Sequence, residues 1–369
     1  MNWTEYTLGE LLSYEQPTNY IVESTKYNDK FLTPVLTAGK TFILGYTNEK
    51  DGIYSDLPVI IFDDFTTASR YVNFPFKVKS SAMKILTPNI ELVIPKFIYY
   101  RMQAIQFDSS THKRYWIQQY SKIKVAVPPI LVQEQIVSRI EELFSKLDKG
   151  VETLQTIKQQ LAVYQQVILK EGFAETTKYA PFGTIMQSRL GKMLDKKKNT
   201  GVLQRYLRNI NVRWFSFDLS DIQQMKIEPS EHEKYSIEPG DLIICEGGEP
   251  GRCAVWESSE TVYYQKALHR VRFCADKNPK YYMYYLWYAA QCGKLSSYFT
   301  GTGIKHLTGQ SLERVPVPVI ERENQDSVVE RIETHLSVCK SIEMTICTAL
   351  MQADAMRQSI LKQAFEGEI

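Results

Sequence analysis

Two short basic and aromatic runs carry the side chains best suited to meet a polyanion. His112-Lys113-Arg114-Tyr115-Trp116 falls shortly before one long apolar-periodic segment, and Gly303-Ile304-Lys305-His306 takes the matching place before a second. Lysine and arginine neutralise phosphates, while neighbouring serine, threonine and glycine let a backbone come close. The candidate contacts are Lys113, Arg114 and Tyr115 in the first run, and Lys305 and His306 in the second. Lys192, Lys196, Lys197 and Lys198 form a further basic run, with Arg205, Arg208 and Arg213 just beyond it. Arg70 and Arg252 sit in comparable strand-turn settings, and arginine is the usual bidentate reader of guanine in a major groove. For each of these residues a plain solvated loop is the alternative, and the sequence leaves both open.

Catalytic constellations are weaker. Asn73-Phe74-Pro75-Phe76 approaches the Asn-Pro-Pro-Phe tetrapeptide of adenine methyltransferases, but Phe replaces the first proline and no glycine-rich cofactor turn precedes it. A strand-edge turn is the expectation. Gly247-Gly248-Glu249-Pro250-Gly251 and Gly301-Thr302-Gly303 neither open a helix pattern nor end in the Gly-Lys-Ser/Thr of a phosphate-cradling loop. Asp195-Lys196-Lys197 satisfies a loose nuclease triplet that chance supplies in most chains. The five histidines are scattered without ligand spacing, and the six cysteines all lie in the second half without a Cys-x-x-Cys pair. No catalytic residue, metal site or disulfide scaffold is therefore expected.

Composition sets further bounds. A length of 369 residues allows two or three ordinary domains, and 44% hydrophobic content is that of a soluble globular protein. A formal charge of +2 does not announce a nucleic-acid binder, so the basic groups would have to gather on one face. No apolar run reaches the roughly 18 residues needed to span a bilayer. Met1-Asn2-Trp3-Thr4-Glu5 lacks the regions of a signal peptide, so a cytoplasmic location without membrane contact is expected.

These residues must be positioned by a duplicated framework. In residues 131–174 one heptad column is Ile136, Leu143, Gly150, Ile157 and Tyr164, and the other is Ile140, Leu147, Leu154, Leu161 and Ile168. Residues 319–369 repeat the register with Val328, His335, Ile342, Ala349 and Met356 beside Ile332, Cys339, Ile346, Ala353 and Ile360. Such columns read as coiled-coil seams. Arg139-Ile140-Glu141 recurs as Arg331-Ile332-Glu333, and Phe173 matches Phe365, which points to an internal duplication. The mixed regions 1–130 and 175–318 echo each other too, through Leu8-Gly9-Glu10-Leu11 and Phe182-Gly183-Thr184-Ile185, and through Pro95-Lys96-Phe97 and Pro279-Lys280-Tyr281. Strands are predicted at Val59 to Phe62, Ile123 to Val127, Asp241 to Cys245, Ala254 to Trp256 and His269 to Phe273, and Gly172 is read as helix punctuation. If the seams pack along their length the helices run antiparallel, with a globular region near each end and an approximate twofold axis. Two such readers could share one face of a duplex.

The chain resembles the specificity subunits of type I restriction-modification enzymes along essentially its whole length. Val127-Pro128-Pro129-Ile130-Leu131-Val132-Gln133-Glu134-Gln135-Ile136-Val137 looks like that family's Pro-Leu-Pro-Pro-Leu-x-Glu-Gln-x-x-Ile approach to its first helix. Arg357-Gln358-Ser359-Ile360-Leu361-Lys362-Gln363-Ala364-Phe365-Glu366-Gly367 looks like its C-terminal close, and Pro239-Gly240-Asp241-Leu242-Ile243 with Gly251-Arg252 like a strand-turn-strand element of its recognition domains. Two departures concern loop geometry. The second approach, Val317 to Gln325, is two residues longer and lacks the double proline, and Asp56-Leu57-Pro58-Val59-Ile60 stands where a Gly-Asp-x-Leu is usual. The resemblance implies an α+β fold of two α/β target-recognition domains separated by two long antiparallel coiled-coil helices, a pseudo-twofold internal repeat. It implies double-stranded DNA as ligand at a bipartite, asymmetric site, and no catalysis by this chain. Two methyltransferase subunits would dock on the helices and carry the S-adenosylmethionine, leaving this chain without a cofactor, and restriction subunits would join through them. Alone, the chain would self-associate through exposed helix faces.

Overall fold

The computed structural model describes residues 3–39, 41–111, 113–174, 177–195 and 199–367. The chain divides into two units, residues 1–155 with 347–369, and residues 156–346. Unit 1 is built on an antiparallel sheet ordered Leu12–Glu15, Met83–Pro88, Val59–Asp63, Ser69–Val72. Unit 2 repeats that order with Met186–Leu190, Leu268–Phe273, Leu242–Cys245 and Cys253–Val255. The sequence echoes therefore mark equivalent places: Leu8–Leu11 and Phe182–Thr184 each form a turn of helix leading into the first strand of the sheet.

Val59, Ile60, Ile61 and Phe62, and likewise Leu242, Ile243, Ile244 and Cys245, are 0% exposed. A strand covered on both faces shows a continuous apolar run rather than alternation. Successive side chains still point to opposite faces. Ile60 and Phe62 enter one core with Leu8, Phe97 and Ile140, while Val59 and Ile61 enter another with Val35's neighbour Leu36 and Phe76. In unit 2, Leu242 and Ile244 join the core of Phe173 and Tyr281, and Ile243 and Cys245 that of Trp256 and Tyr264. Behind each main sheet lies a second one with a single parallel step, Val35 to Lys77 in unit 1 and Tyr206 to Tyr263 in unit 2.

Among the described residues four longer helices complete the units: α1 (Pro95–Gln103), α2 (Ile130–Ala174), α3 (Pro279–Gln291) and α4 (Arg322–Glu366). Pro95 and Pro279 occupy the first helical turn, where a missing N–H is harmless. The Val-Pro stretches are strands that close each globular region on itself. Lys124–Val127 pairs with Thr4–Thr7, and Pro316–Pro318 with Tyr179–Pro181.

Each long helix contributes to both units, and within each unit the two segments pack antiparallel. In unit 1, Arg357 bonds Asp148 and its guanidinium lies 4.6 Å from the ring centre of Phe144. In unit 2, Gln165 meets Glu343 and Gly172 faces Val328 and Ile332. Of the two heptad columns, the one holding Ile140, Leu161, Ile168, Ile332, Cys339, Ile346, Ala353 and Ile360 is buried, with Leu147 and Leu154 half-buried. The other is open at Gly150, Ile157, Tyr164, His335, Ile342 and Met356. A pair of helices without a third layer leaves its outer flank in water, so the seam is narrower than two full columns. His335 sits edge-on to Tyr164 with its Nδ1 3.3 Å from the phenol oxygen.

Gly172 is not helix punctuation. It lies inside α2, where a Cβ would fall 3.1 Å from Ile332 Cδ1, so its role is close approach between helices. Gly367, in the left-handed region at φ +81°, follows the last residue of α4 and ends it as a glycine C-cap does.

Candidate nucleic-acid interface

The two basic runs occupy the same point of the duplicated fold. In unit 1 the Tyr115 N–H donates to the Asp64 carbonyl at 2.9 Å, and in unit 2 the Leu307 N–H donates to the Glu246 carbonyl at 2.7 Å. Asp64 and Glu246 are each the first residue after the central strand of the main sheet. Lys113-Arg114 and Lys305-His306 are thus the corresponding dipeptides ahead of a shared anchor, and all four residues are exposed.

Each dipeptide borders the turn that follows the central strand. Arg114 lies over the ring of Phe65, 5.9 Å from its centre. His306 borders Gly247, where a Cβ would come 3.1 Å from its Nδ1, and Lys305 donates to the Gly301 carbonyl at 3.0 Å. Asp64 holds the unit 1 loop from inside. Its Oδ1 accepts the N–H groups of Tyr115 and Trp116 at 3.1 and 2.8 Å, and its Oδ2 lies 3.4 Å from Lys84 Nζ. In unit 2 the buried His269 bonds the Leu307 carbonyl through Nε2 at 3.0 Å. Burial pushes the His269 pKa down, against the opposing pull of Glu246 and Glu313.

Other expected contacts do other work. Tyr115 is buried: its ring packs on Phe107 and its hydroxyl pairs with Thr111, so it supports the loop rather than its surface. Lys192 is also buried, with Nζ on Glu231. Arg70 and Arg252 do not hold equivalent places, since Arg70 lies within its strand opposite Ile61 and Arg252 precedes its strand, but each staples a loop to the sheet. Arg70 Nη2 donates to the Gly39 carbonyl at 3.2 Å. Arg252 Nη2 donates to the Asn209 carbonyl at 3.1 Å and to Asn209 Oδ1 at 2.8 Å, while Nη1 pairs with Glu249 at 2.9 Å. Both arms of the Arg252 guanidinium are thus engaged within the protein. Arg205 pairs with Glu260, Arg208 with Asp221 at 2.7 Å and Arg213 with Asp218 at 3.5 Å, so the basic run of unit 2 is interleaved with carboxylates. Lys196, Lys197, Lys198 and His112 lie outside the described residues.

Sequence reasoning missed Asp64, Asn209 and Glu249. An Asp directly after a buried strand and before a turn was the available signal for the first. Asn209 also donates to the Gly247 carbonyl at 2.7 Å, and Glu249 accepts the Trp214 indole N–H at 2.7 Å, so they tie three loops into one surface. Asp241, in the Gly-Asp element, is buried and takes a two-pronged bond from Arg272, 2.8 Å on each arm, while Gly240 supplies the φ +94° turn before it. Among the described residues no cluster of His, Cys, Asp or Glu could hold a metal ion, and no helix is long and apolar enough to cross a membrane.

Residues 1–162 match the type I restriction modification DNA specificity domain. The chain is 43% identical over 182 residues to the EcoR124I/EcoR124II specificity subunit of Escherichia coli, covering 46% of this chain and 45% of that one. It is 23% identical over 271 residues to the EcoKI specificity subunit of Escherichia coli K12, covering 68% and 58%. The chain thus spans about half the length of these relatives. Among solved structures, a chain from a study of type I restriction-modification assembly and conformational transition superposes with a TM-score of 0.75 at 15% identity, over 100% of this chain and 98% of that one. The HsdS subunit from Thermoanaerobacter tengcongensis gives 0.58 at 15% identity, over 100% and 97%. Those likenesses show the fold. Residues 1–162 thus carry a type I restriction modification DNA specificity domain, and the chain as a whole has the fold of the HsdS structures.

Proposed function

We propose that this chain selects the DNA sequence for a type I restriction-modification complex. Each unit would read one half of a bipartite site through the loops around Lys113-Arg114 and Lys305-His306. The equivalent placement of two exposed basic dipeptides, in units whose sequences have otherwise diverged, carries this reading. Because the surrounding loops differ, the two halves of the site would differ as well. Methyltransferase subunits would dock on α2 and α4, where Ile157, Val163, Val167, Val338 and Met351 are exposed, and would recruit the restriction subunit. S-adenosylmethionine and the chemistry would belong to those partners, and the complex would work in the cytoplasm.

Co-expression with the cognate adenine methyltransferase, followed by single-molecule mapping of methylated adenine in host DNA, tests this. A split, asymmetric motif that depends on this chain is expected. An unsplit motif, or no motif despite a stable complex, would overturn the reading, and methylation by this chain alone would overturn its non-catalytic part.

A further inference from the structure

Residues 300–306 of unit 2 form a closed loop. The Thr300 N–H donates to the His306 carbonyl at 2.8 Å and the His306 N–H returns to the Thr300 carbonyl at 2.9 Å. Lys305 Nζ bonds the Gly301 carbonyl across the loop. Gly301 has φ +93°, and a Cβ there would fall 2.3 Å from the Ile304 carbonyl oxygen, so the turn is too tight for another residue. On this stiffened loop the Ile304 side chain is 73% exposed. A loop that only met phosphates would gain nothing from an aliphatic tip, and stiffening keeps that tip from folding back onto the core.

The neighbourhood repeats the pattern. Asn209 bonds Gly247, Gly247 abuts His306, and the residue after Asn209, Ile210, is 48% exposed. Single exposed apolar residues are ordinary on protein surfaces. Here two isoleucines stand on adjoining loops beside Lys305 and His306. Proteins that kink DNA combine cationic contacts with an aliphatic side chain driven between base pairs.

We propose that Ile304 is such a wedge, entering the base stack of the half-site read by unit 2. The inference rests on the DNA-binding reading above. In unit 1 the residue three places before the anchored Tyr115 is His112, so the sequence does not repeat Ile304 at that point.

The test uses the chain assembled with its methyltransferase partner and a duplex carrying the mapped motif. 2-Aminopurine is placed in turn at each position of both half-sites except the methylated adenine. The wild-type complex should brighten the probe at one step, and at saturating protein Ile304→Ala should abolish that signal while Ile304→Leu keeps it. Affinity of the alanine variant should fall roughly tenfold or more, as removal of a buried aliphatic side chain implies. The salt dependence of binding should stay the same, because no charge is lost. Salt-dependent binding without any brightening that depends on Ile304 would overturn the wedge and leave DNA recognition intact. Absence of salt-dependent binding would overturn both.

Discussion

Gln133 Oε1 accepts the backbone N–H of Ile94 at 2.8 Å, and the Gln133 amide nitrogen donates to the Leu92 and Pro128 carbonyls at 3.0 and 2.8 Å. Gln325 repeats this in unit 2, accepting the Asn278 N–H at 2.7 Å and donating to the Ile320 carbonyl at 2.8 Å. Both glutamines are 0% exposed. Ile94 and Asn278 are the N-cap residues of α1 and α3, so each glutamine fastens a globular region to the start of a long helix. Lys96 and Tyr100 reinforce the joint on Glu141, as Lys280 and Tyr284 do on Glu333. Gln133→Leu leaves one buried N–H and two buried carbonyls unpaired, at about 1–3 kcal/mol for each group that cannot find water. Amide exchange at Ile94 should accelerate at least tenfold, read by hydrogen-deuterium exchange. Unchanged protection would contradict the assigned role.

Lys84 and Asp64 are a buried ion pair, their side chains 1% and 2% exposed. Removing one member of such a pair strands the other charge, at about 3–5 kcal/mol. Lys84→Met should therefore destabilise unit 1 by that order in denaturant unfolding. Because Asp64 also holds Tyr115 and Trp116, the variant should loosen the loop carrying Lys113 and Arg114 and weaken DNA binding. Normal DNA affinity in a destabilised protein would separate the pair from the loop.

Lys113, Arg114 and Lys305 are exposed cations, proposed above to meet DNA, and phosphate contact is the role expected of them. Each alanine substitution should weaken binding to all sequences alike and lower the slope of log affinity against log salt by about 1. Fluorescence anisotropy over a salt series measures this. A change in the methylated motif with an unchanged slope would assign the residue to base reading instead.

His269 supplies a pH dependence. Burial lowers its folded pKa, so as pH falls below about 6.5 the unfolded chain takes up the proton before the folded one does. Stability is complete above that pH and is lost as pH falls through it toward the lowered folded value. Since His269 Nε2 holds Leu307, protection of the 300–307 loop amides should decline with acid, and His269→Gln should flatten the profile. A wild-type loop indifferent to pH over this range would refute the assignment.

Much of the frame was legible because duplication supplies its own comparison. Ile140 and Ile332, Phe173 and Phe365, and the two Val-Pro strands could be aligned within one chain, and the basic dipeptides fell at matching points. Contacts were less legible than placement. Lys192, Arg70 and Arg252 read as surface cations because Glu231, Gly39 and Asn209, which engage them, are distant in sequence. Tyr115 was misplaced by its basic neighbours: the loop is anchored on Asp64 from Tyr115 onward, which turns Tyr115 and Trp116 inward while Lys113 and Arg114 face water. The second heptad column is only partly covered, with Ile136 buried and Tyr164 against His335 while Ile157 and Ile342 stay open, for a different reason. Periodicity marks a face of the helix but not whether a third layer covers it.

Two glycines in α2 give opposite expectations for the same substitution. Ordinarily Gly→Ala inside a helix stabilises by about 0.5–1 kcal/mol, because glycine loses more backbone freedom on folding. Gly150 is exposed and nothing lies within 4 Å of a Cβ there, so Gly150→Ala should show that gain in full. At Gly172 the new methyl would sit 3.1 Å from Ile332 Cδ1 and 3.6 Å from Val328 Cγ1. Ile332 is fully buried and has little room to retreat. Overpacking of this kind costs about 1–3 kcal/mol, which outweighs the backbone gain, so Gly172→Ala should destabilise unit 2. Thermal unfolding of the two variants decides it: a rise for both would mean the helices can separate by the few tenths of an ångström required, and Gly172 would no longer be needed for their approach.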